Sequence, residues 1–484
     1  MESMGKTELA DIAVIGMAVM GQNLILNMND HGFKVVAFNR TVSKVDDFLN
    51  SAAKGTQIVG AHSAAEMISL LKKPRRVMLM VKAGEAVDET IEHILPYMEA
   101  GDIIIDGGNS LFTDTIRRQA YLNQKSILYV GTGISGGEEG ARHGPAIMPG
   151  GDKQAWPHLK DIFQAIAAKD LNGNPCCDWI GDGGAGHYVK MVHNGIEYGD
   201  MQLISESYAL LKALGLSNQE LSDTFRDWNN GVLDSYLIEI TANILSYKDG
   251  NGDYVIDKIL DVAGQKGTGK WTVISASELS QPATVIAEAL FSRFISSLKK
   301  TRLKLNAVYQ TTAPIQLDLT GEKIGQALYA SKIISYAQGY MLLKQASSEY
   351  GFDINYAKVA AIWTGGCIIR SRFLGDIEKA YIKNPNLESL LLDDFFVEAI
   401  LNNLTSWREV VSKSVASGIP ISGLASALTF FDAFRSNSLP ANLIQAQRDY
   451  FGAHTYERID TPGKSFHTNW TGSGGDTTAG LYNN

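Results

Sequence analysis

At 484 residues the chain exceeds what one hydrophobic core can hold, so its length predicts two or three domains. A hydrophobic fraction of 45%, a charged fraction of 20% and a net charge of −9 at pH 7 are ordinary for a globular protein and argue against a nucleic-acid-binding surface. Three cysteines without CxxC spacing, a polar N-terminus without a signal-peptide core, and apolar runs too short to span a membrane favour a cytoplasmic protein without disulfides, zinc or a membrane anchor.

The first 182 residues alternate short apolar runs with amphipathic stretches. The runs predict strands at residues 11–16, 34–39, 76–81, 102–108, 126–133 and 145–151, with a last short strand at 177–181. Helical patterns such as residues 22–30 and 42–52 lie between the earlier runs. Apolar strands that alternate with helices are typical of a parallel sheet covered on both faces, so we expect a Rossmann-like, doubly wound α/β domain over residues 1–182.

From about residue 187 helical periodicity is continuous. It predicts helices at residues 201–215, 283–300, 325–350 and 388–418, hence a large all-α domain over residues 183–445. Within it "YALLKA" (208–213) resembles "YMLLKQ" (340–345), and "DWNNG" (227–231) resembles "IWTGG" (362–366). These echoes indicate two related halves, although amphipathic helices also resemble one another by chance.

The C-terminal segment, residues 446–484, is rich in Gly, Ser and Thr from Pro462 onward. A segment of this composition cannot bury enough apolar surface to fold by itself. The sequence therefore predicts either a disordered tail or an arm that docks on another surface.

The first predicted strand leads directly into "IGMAVMG" (15–21). Compared with the G-x-G-x-x-G pattern of dinucleotide-binding folds, it has alanine at the middle glycine. A lone fingerprint is weak and could be a structural turn, but strand, turn and helix occur here in the required order, and a helix N-terminus suits a pyrophosphate. The residues expected to bind the dinucleotide are Gly16, Met17, Ala18, Val19, Met20 and Gly21.

The end of the second predicted strand distinguishes NADP from NAD. NAD-binding folds usually place an acid there for the ribose 2′-hydroxyl, but this chain has Asn39, Arg40 and Thr41. Because an arginine can pair with a 2′-phosphate and lie on the adenine, NADP is the expected cofactor. Ligands of open α/β sheets also contact later strand ends, which adds Val81, Lys82, Ala83 and Asn109 to the predicted cofactor site.

Residues 190–200 read "KMVHNGIEYGD". On a helix Lys190, His193, Asn194 and Glu197 recur at i, i+3, i+4 and i+7 and share one face, which is either a solvated surface or the floor of an active site. A lysine whose pKa is lowered by burial can serve as a general base near neutral pH, and a carboxylic acid two turns away can deliver a proton.

The glycine-rich segment 131–151 and residues 189–206 resemble the substrate loop and catalytic helix of the β-hydroxyacid dehydrogenase superfamily, in the form found in 6-phosphogluconate dehydrogenases. Five further segments resemble the same family: "GQKGTGKWT" (264–272), "YASKIISYAQG" (329–339), "TGGCIIR" (364–370), "LLLDDFF" (390–396) and "QAQRDYFGAHTYE" (445–457). The resemblance extends from about residue 10 to the tail. It departs from the family at Thr364, where arginine is frequent.

The resemblance implies NADP-dependent oxidative decarboxylation of 6-phospho-D-gluconate to D-ribulose 5-phosphate and CO2, a step of the oxidative pentose phosphate pathway and of gluconate utilisation. It implies that Lys190 is the general base and Glu197 the general acid, that no metal takes part, and that the chain forms a homodimer whose C-terminal segment reaches the partner's substrate site. The residues that it implies for substrate binding are Asn109, Ser135, Gly136, Gly137, His193, Asn194, Tyr198, Lys266, Arg293, Arg448 and His454.

Other functions fit only parts of the sequence. A short β-hydroxyacid dehydrogenase for a non-phosphorylated substrate would need neither this length nor the added lysines and arginines, and a silent NADP-binding sensor would not need both Lys190 and Glu197. "GQKGTGK" (264–270) fits the start of a P-loop. However, Trp271 follows where a hydroxyl is required and a helical pattern precedes it, so nucleoside-triphosphate binding is not expected.

Overall fold

The computed structural model describes residues 8–309 and 317–473. The chain forms two compact units, one ending at Leu428 and one beginning at Thr429, which are described separately. The first unit contains a mixed α/β part followed by a large helical part, so the predicted fold class is confirmed, while the predicted domain limits at residues 182 and 445 stay predictions. Among the described residues no helix is long and apolar enough to cross a membrane.

From residue 8, where the described chain begins, the α/β part contains eight strands and seven α-helices. The strands are β1 (Ile12–Ile15), β2 (Val35–Phe38), β3 (Val59–Gly60), β4 (Arg76–Leu79), β5 (Ile103–Asp106), β6 (Leu128–Ser135), β7 (Ala146–Gly151) and β8 (Gly181–Asp182). The helices are α1 (Val19–Asp30), α2 (Ser43–Asn50), α3 (Ala64–Ser69), α4 (Glu85–Ile94), α5 (Phe112–Asn123), α6 (Gly137–His143) and α7 (Trp156–Ile166), with 3₁₀ turns at Leu95–Tyr97 and Lys153–Ala155. The strands form one sheet in the order β3-β2-β1-β4-β5-β6-β7-β8.

Both faces of this sheet are covered. Along β1, Ile12 and Val14 belong to one buried apolar cluster, while Ala13 and Ile15 belong to another on the opposite face. Successive side chains of a strand point to opposite faces, so a strand covered on both must be apolar throughout. This is why the strands are continuous apolar runs in the sequence.

The sheet is not wholly parallel, which corrects the sequence-based expectation. β6 and β7 pair antiparallel, with Val130 opposite Gly151 and Ser135 opposite Ala146. Only residues 136–145, which include the short α6, connect the two strands. A parallel crossover needs a dozen or more residues, so this connection can only return the chain antiparallel. The predicted strand at 177–181 is reduced to a bridge from Cys177 to Ile147 and the two-residue β8.

The helical part of the first unit consists of α8 (Ala185–Ala213), α9 (Asn218–Asn229), α10 (Tyr236–Ser246), α11 (Thr268–Glu278), α12 (Thr284–Ser297), α13 (Lys299–Val308), α14 (Gly321–Tyr350), α15 (Tyr356–Trp363), α16 (Leu374–Lys383), α17 (Asp394–Ala416) and the start of α18 (Ser422–Phe434). 3₁₀ turns occur at Val255–Lys258 and Leu390–Leu392. The two longest helices, α8 and α14, pack against each other and form the centre of this part.

The contacts between α8 and α14 support two related halves. Asp200 and Lys332, 132 residues apart like "YALLKA" and "YMLLKQ", form a fully buried ion pair of 2.6 Å. Each long helix is followed by a pair of shorter helices, and the two turns within those pairs meet at a bridge between Ser235 and Ser371. Corresponding positions of the halves thus contact one another, as expected for a pair related by an approximate two-fold axis.

The second unit contains the end of α18, α19 (Ala441–Gly452) and a hairpin of β9 (Tyr456–Arg458) and β10 (Thr461–Phe466). The described part of the glycine-rich segment is therefore folded, against the alternative of a disordered tail. Asp449 explains why, because its buried carboxylate accepts hydrogen bonds from the backbone of Thr455 and Thr468 and from the side chains of His467 and Trp470. The remainder of the predicted tail, residues 474–484, lies outside the described residues.

Candidate active site

The turn between β1 and α1 depends on glycine at both ends of its motif. Gly16 has a φ of +118°, and a Cβ there would lie 2.3 Å from the carbonyl oxygen of Met80. A Cβ at Gly21 would lie 2.0 Å from the carbonyl oxygen of Gly16. The N-cap of α1 is Ala18, whose side chain cannot cap the helix, so no side chain competes for the first amides there. The turn thus presents a helix N-terminus suited to a diphosphate.

A cavity of about 470 Å³ lies next to this turn. Asn39, at the end of β2, accepts a hydrogen bond of 3.2 Å from the backbone of Met17 and so joins the two turns. The Arg40 side chain is 94% exposed, and its Nη1 lies 3.8 Å from Glu89 Oε2. Five of the predicted cofactor residues line the cavity: Asn39, Arg40, Thr41, Val81 and Lys82. The sequence analysis missed four polar lining residues, namely Lys44, Glu89, Thr90 and His93.

The catalytic candidate Lys190 lies on α8 where this helix crosses β6. Only 6% of the residue is exposed. A Cβ at Gly133 would lie 2.4 Å from Lys190 Cβ, so the glycine in β6 makes the close approach of helix and strand possible. Lys190 Nζ lies 3.3 Å from His193 Nδ1, and His193 Nε2 lies 3.1 Å from the hydroxyl of Ser135. The predicted stripe is thus a buried polar chain rather than a solvated surface.

Burial determines the charge states along this chain. It lowers the pKa of Lys190 below that of an ordinary lysine, although the nearby Glu197 carboxylate opposes the shift. It also lowers the pKa of His193 well below its usual value, with a further lowering from the positive charge of Lys190, so the imidazole is neutral. Burial raises the pKa of Glu197, whose side chain is 22% exposed, so this carboxyl keeps its proton to a higher pH than usual. A lysine of lowered pKa and a carboxyl of raised pKa therefore share one helical face.

The other predicted substrate residues lie around the same face. Asn194 donates a hydrogen bond of 3.0 Å to Thr268, the first residue of α11, and the exposed Lys266 lies two residues before it. The guanidinium carbon of Arg293 lies 3.5 Å from the ring centroid of Tyr198, a cation–π contact that holds both side chains. The α11 N-terminus and these cations together suit a phosphate group.

Four further predicted residues lie on other elements of the chain. Asn109 is exposed on the loop after β5, and Gly137 is exposed as the first residue of α6, which follows β6. Arg448 donates to Gln445 within α19, and His454 follows that helix in the second unit. Both belong to the second unit.

The sequence analysis assigned no role to the turn after α15, although "TGGCIIR" was noted as a family-like segment. The Trp363 ring packs edge-on against His193 with centroids 5.7 Å apart, and the backbone N–H of Ile368 lies 3.5 Å from the Ser135 hydroxyl. Burial raises the pKa of the Cys367 thiol to about 12, and Lys190 lies close enough to oppose that shift. Residues 8–309 and 317–473 contain no group of three His, Cys, Asp or Glu side chains that could hold a metal ion.

Comparisons with known proteins agree with this geometry. Residues 11–181 match the family model of the NAD binding domain of 6-phosphogluconate dehydrogenase, and residues 186–470 match that of its C-terminal domain. The chain is similar to the decarboxylating 6-phosphogluconate dehydrogenases of Mus musculus (61% identical) and Homo sapiens (60%), with 98% of this chain and 99% of each relative covered. Its structure is similar to that of the Plasmodium falciparum 6-phosphogluconate dehydrogenase, solved in its apo form and in complexes with NADP+ and with 6-phosphogluconate. The TM-score is 0.92 at 47% identity, covering 95% of this chain and all of that one.

Proposed function

We propose, since this chain belongs to the 6-phosphogluconate dehydrogenase family, that it catalyses the NADP-dependent oxidative decarboxylation of 6-phosphogluconate to ribulose 5-phosphate and CO2. The single observation that carries the catalytic assignment is the buried Lys190 in contact with His193, with Glu197 on the same helical face. A lysine of lowered pKa and a carboxyl of raised pKa are the pair that a proton removal followed by a proton return requires.

Lys190 acts first as a base and then as an acid. Neutral Lys190 takes the proton of the C3 hydroxyl while the hydride leaves C3, which turns that carbon into a ketone. The resulting ammonium gives this proton to the ketone oxygen as that oxygen accepts the electron pair from the breaking C1–C2 bond, so CO2 leaves, an enediol remains and Lys190 is neutral again. His193 and Ser135 hold the Lys190 side chain and the sugar hydroxyls in this position.

Glu197 completes the reaction. The enediol that remains after loss of CO2 needs a proton at the carbon that carried the carboxylate, which becomes C1 of the product. The protonated Glu197 carboxyl delivers that proton, and Lys190 takes the remaining enediol proton to restore the ketone. Asn194, Tyr198, Lys266 and Arg293 hold the sugar acid and its phosphate; Asn109, Gly136 and Gly137 contact the sugar from the sheet side.

NADP, when bound, accepts the hydride. The fit of this chain to NADP rests on the glycine-dependent turn at Gly16 and Gly21, the uncapped α1 N-terminus and the cavity beside Arg40. Met17, Ala18, Val19 and Met20 would offer backbone groups to the diphosphate, while Asn39, Arg40 and Thr41 would hold the 2′-phosphate. Val81, Lys82 and Ala83 follow β4 and extend the site toward the nicotinamide.

One assay tests the reaction. NADPH formation and CO2 release are measured together with 6-phosphogluconate as substrate, and one CO2 per NADPH is the expected result. NADPH without CO2 would favour a simple β-hydroxyacid dehydrogenase, and NADP binding without turnover would favour a sensor. A parallel assay with unphosphorylated gluconate tests whether the cations near α11 recognise the phosphate.

Arg40→Ala is expected to raise the KM for NADP by about 10- to 100-fold, because losing a hydrogen bond between charged groups weakens binding by about this factor. The KM for NAD should change little, because NAD has no 2′-phosphate and therefore serves as the internal control. Steady-state kinetics with both cofactors measure the two values. An equal rise in both would mean that Arg40 does not recognise the 2′-phosphate.

The homodimer with shared sites is also part of the proposal. It is supported by exposed apolar side chains in each unit, among them Phe291 and Ile295 on α12 and Leu443 and Phe451 on α19, because exposed apolar groups in such number mark interaction surfaces. In this arrangement Arg448 and His454 would complete the partner's substrate site.

Mixing two inactive variants tests that arrangement. Lys190→Arg and Arg448→Ala, unfolded and refolded together, should recover about a quarter of wild-type activity, because half of the dimers are mixed and each mixed dimer contains one intact site. The assay is run at a substrate concentration at which Arg448→Ala alone is inactive. If Arg448 acted within its own subunit, mixing would recover nothing.

A further inference from the structure

The buried guanidinium of Arg118, on α5, makes several hydrogen bonds outside the site described above. Its side chain is 1% exposed. Nε and Nη2 donate to the two carboxylate oxygens of Asp88 at 2.9 Å each, and Nη2 also donates to the carbonyl oxygen of Gly84 at 2.9 Å. Gly84 and Asp88 belong to the loop after β4 and the first turn of α4, so one edge of the guanidinium holds the segment that follows Val81, Lys82 and Ala83.

The other edge of Arg118 faces the loop after β5. Nη1 lies 3.5 Å from Asp106 Oδ2 and 3.5 Å from the Ser110 hydroxyl. Asp106 is fully buried and also accepts hydrogen bonds from the backbone of Gly108 at 3.1 Å, the Ser110 hydroxyl at 2.6 Å and the Tyr129 hydroxyl at 3.0 Å. The loop that presents Asn109 is therefore fixed on both sides of that residue.

The two loops also touch directly, and the contact leaves little room for displacement. A Cβ at Gly108 would lie 3.1 Å from the carbonyl oxygen of Val81. Arg118 is the single side chain in the described part of the chain that donates to both the β4–α4 segment, through Gly84 and Asp88, and the β5–α5 loop, through Ser110.

We propose that Arg118 is a positioning residue for the cofactor: it locks the loops after β4 and β5 together beneath the nicotinamide half of NADP. It touches neither cofactor nor substrate and acts through Lys82, Ala83 and Asn109, so the inference rests on the cofactor roles given to these residues in the proposed function. Its effect should fall mainly on NADP, because of these three residues only Asn109 is also assigned to the sugar acid, which is held mostly from α8, α11 and α12.

The neighbouring Arg117 is a matched control. It lies on the same helix and its Nη2 contacts both oxygens of Asp88 at 3.0 Å, but its side chain is 57% exposed and it reaches neither Asp106 nor Ser110. Removing Arg117 deletes a surface ion pair to the same carboxylate, which is worth little. The two arginines share the contact with Asp88 and differ in their burial and in the link between the loops, which only Arg118 makes.

The experiment compares Arg118→Met, Arg118→Lys and Arg117→Met. The Kd for NADP and, separately, the Kd for 6-phosphogluconate are measured by calorimetry without turnover, and kcat and both KM values by steady-state kinetics. Both Arg118 variants should raise the Kd and KM for NADP by about tenfold or more, since a lysine cannot donate to both loops at once, and should lower kcat. The Kd for 6-phosphogluconate should stay within about twofold, and Arg117→Met should leave every value within about twofold.

An unchanged Kd for NADP in either Arg118 variant, or an equal rise in both dissociation constants, would overturn the proposal, because the residue would then act on stability alone. If Arg118→Met does not fold, Arg118→Lys carries the test, since it keeps a positive charge beside the buried Asp106. Failure of the proposed function is distinguishable: the wild-type protein would then not turn over 6-phosphogluconate, while calorimetry with NADP would still report on Arg118.

Discussion

Lys190→Arg is expected to lower kcat by about 10³- to 10⁴-fold while leaving the Kd for NADP within about twofold, because arginine keeps the positive charge but cannot lose a proton near neutral pH. Lys190 is buried against β6, and burial lowers its pKa, so the native side chain can do what arginine cannot. Pre-steady-state kinetics should show no rapid formation of NADPH in the variant, because hydride transfer needs the C3 hydroxyl proton to be removed.

Lys212→Arg is the control for this substitution. Lys212 lies at the other end of α8 with 51% of its side chain exposed, so the same exchange on the same helix should leave kcat within about twofold. Lys190→Arg with near-normal kcat would remove Lys190 from the role of base. A loss of NADP affinity equal to the loss of kcat would point instead to a disturbed fold.

The pH dependence of the wild-type protein follows from the directions of the two pKa shifts. Burial lowers the pKa of Lys190, so the free base appears at a lower pH than for an ordinary lysine, and activity should rise with pH as Lys190 loses its proton. Burial raises the pKa of Glu197, so the acid form persists to a higher pH than usual, and activity should fall once Glu197 has lost its proton. The expected profile of kcat is a bell, whose rising limb depends on Lys190.

Local patterns in the sequence were sufficient for the parts of the site that lie within one element. The positions of Lys190, His193 and Glu197 on one face follow from helical periodicity, and Arg40 follows from its place after β2. What periodicity could not reveal is whether that face is buried. Burial here comes from β6, through Gly133, and from Trp363 at the end of α15, both distant in sequence.

Other features that could not be predicted from the sequence depend on contacts between distant segments. Ile368 reaches Ser135 across more than two hundred residues, and Arg118 joins two loops that only the sheet brings together. The segment from Pro462 onward has a composition typical of disorder, yet its described part is folded. The Asp449 carboxylate accepts hydrogen bonds from Thr455, His467, Thr468 and Trp470, which flank the hairpin. Composition and periodicity hold no information on such pairings, because the same local sequence can occur with or without its partner.

Glu197→Gln is expected to lower kcat by about 10²- to 10³-fold and to preserve the first chemical step. Glutamine has nearly the shape of the protonated carboxyl and keeps hydrogen-bonding capacity. However, it cannot deliver a proton to the enediol carbon that becomes C1 of the product. That carbon is protonated only after the hydride has left C3 of the substrate and CO2 has gone. NADPH should therefore form rapidly up to about one equivalent per site, and turnover should then be slow. Stopped-flow absorbance of NADPH measures both phases.

The contrast between the two variants is the decisive result, because it separates the base from the acid on one helix. Lys190→Arg should lose the rapid phase, whereas Glu197→Gln should keep it and lose the steady state. Glu349→Gln, an exposed glutamate near the end of α14, makes the same exchange away from the site and should leave both phases unchanged. If Glu197→Gln also abolishes the rapid phase, Glu197 acts before or during hydride transfer, for example by setting the charge of Lys190 through the electrostatic coupling between them, and another group protonates C1.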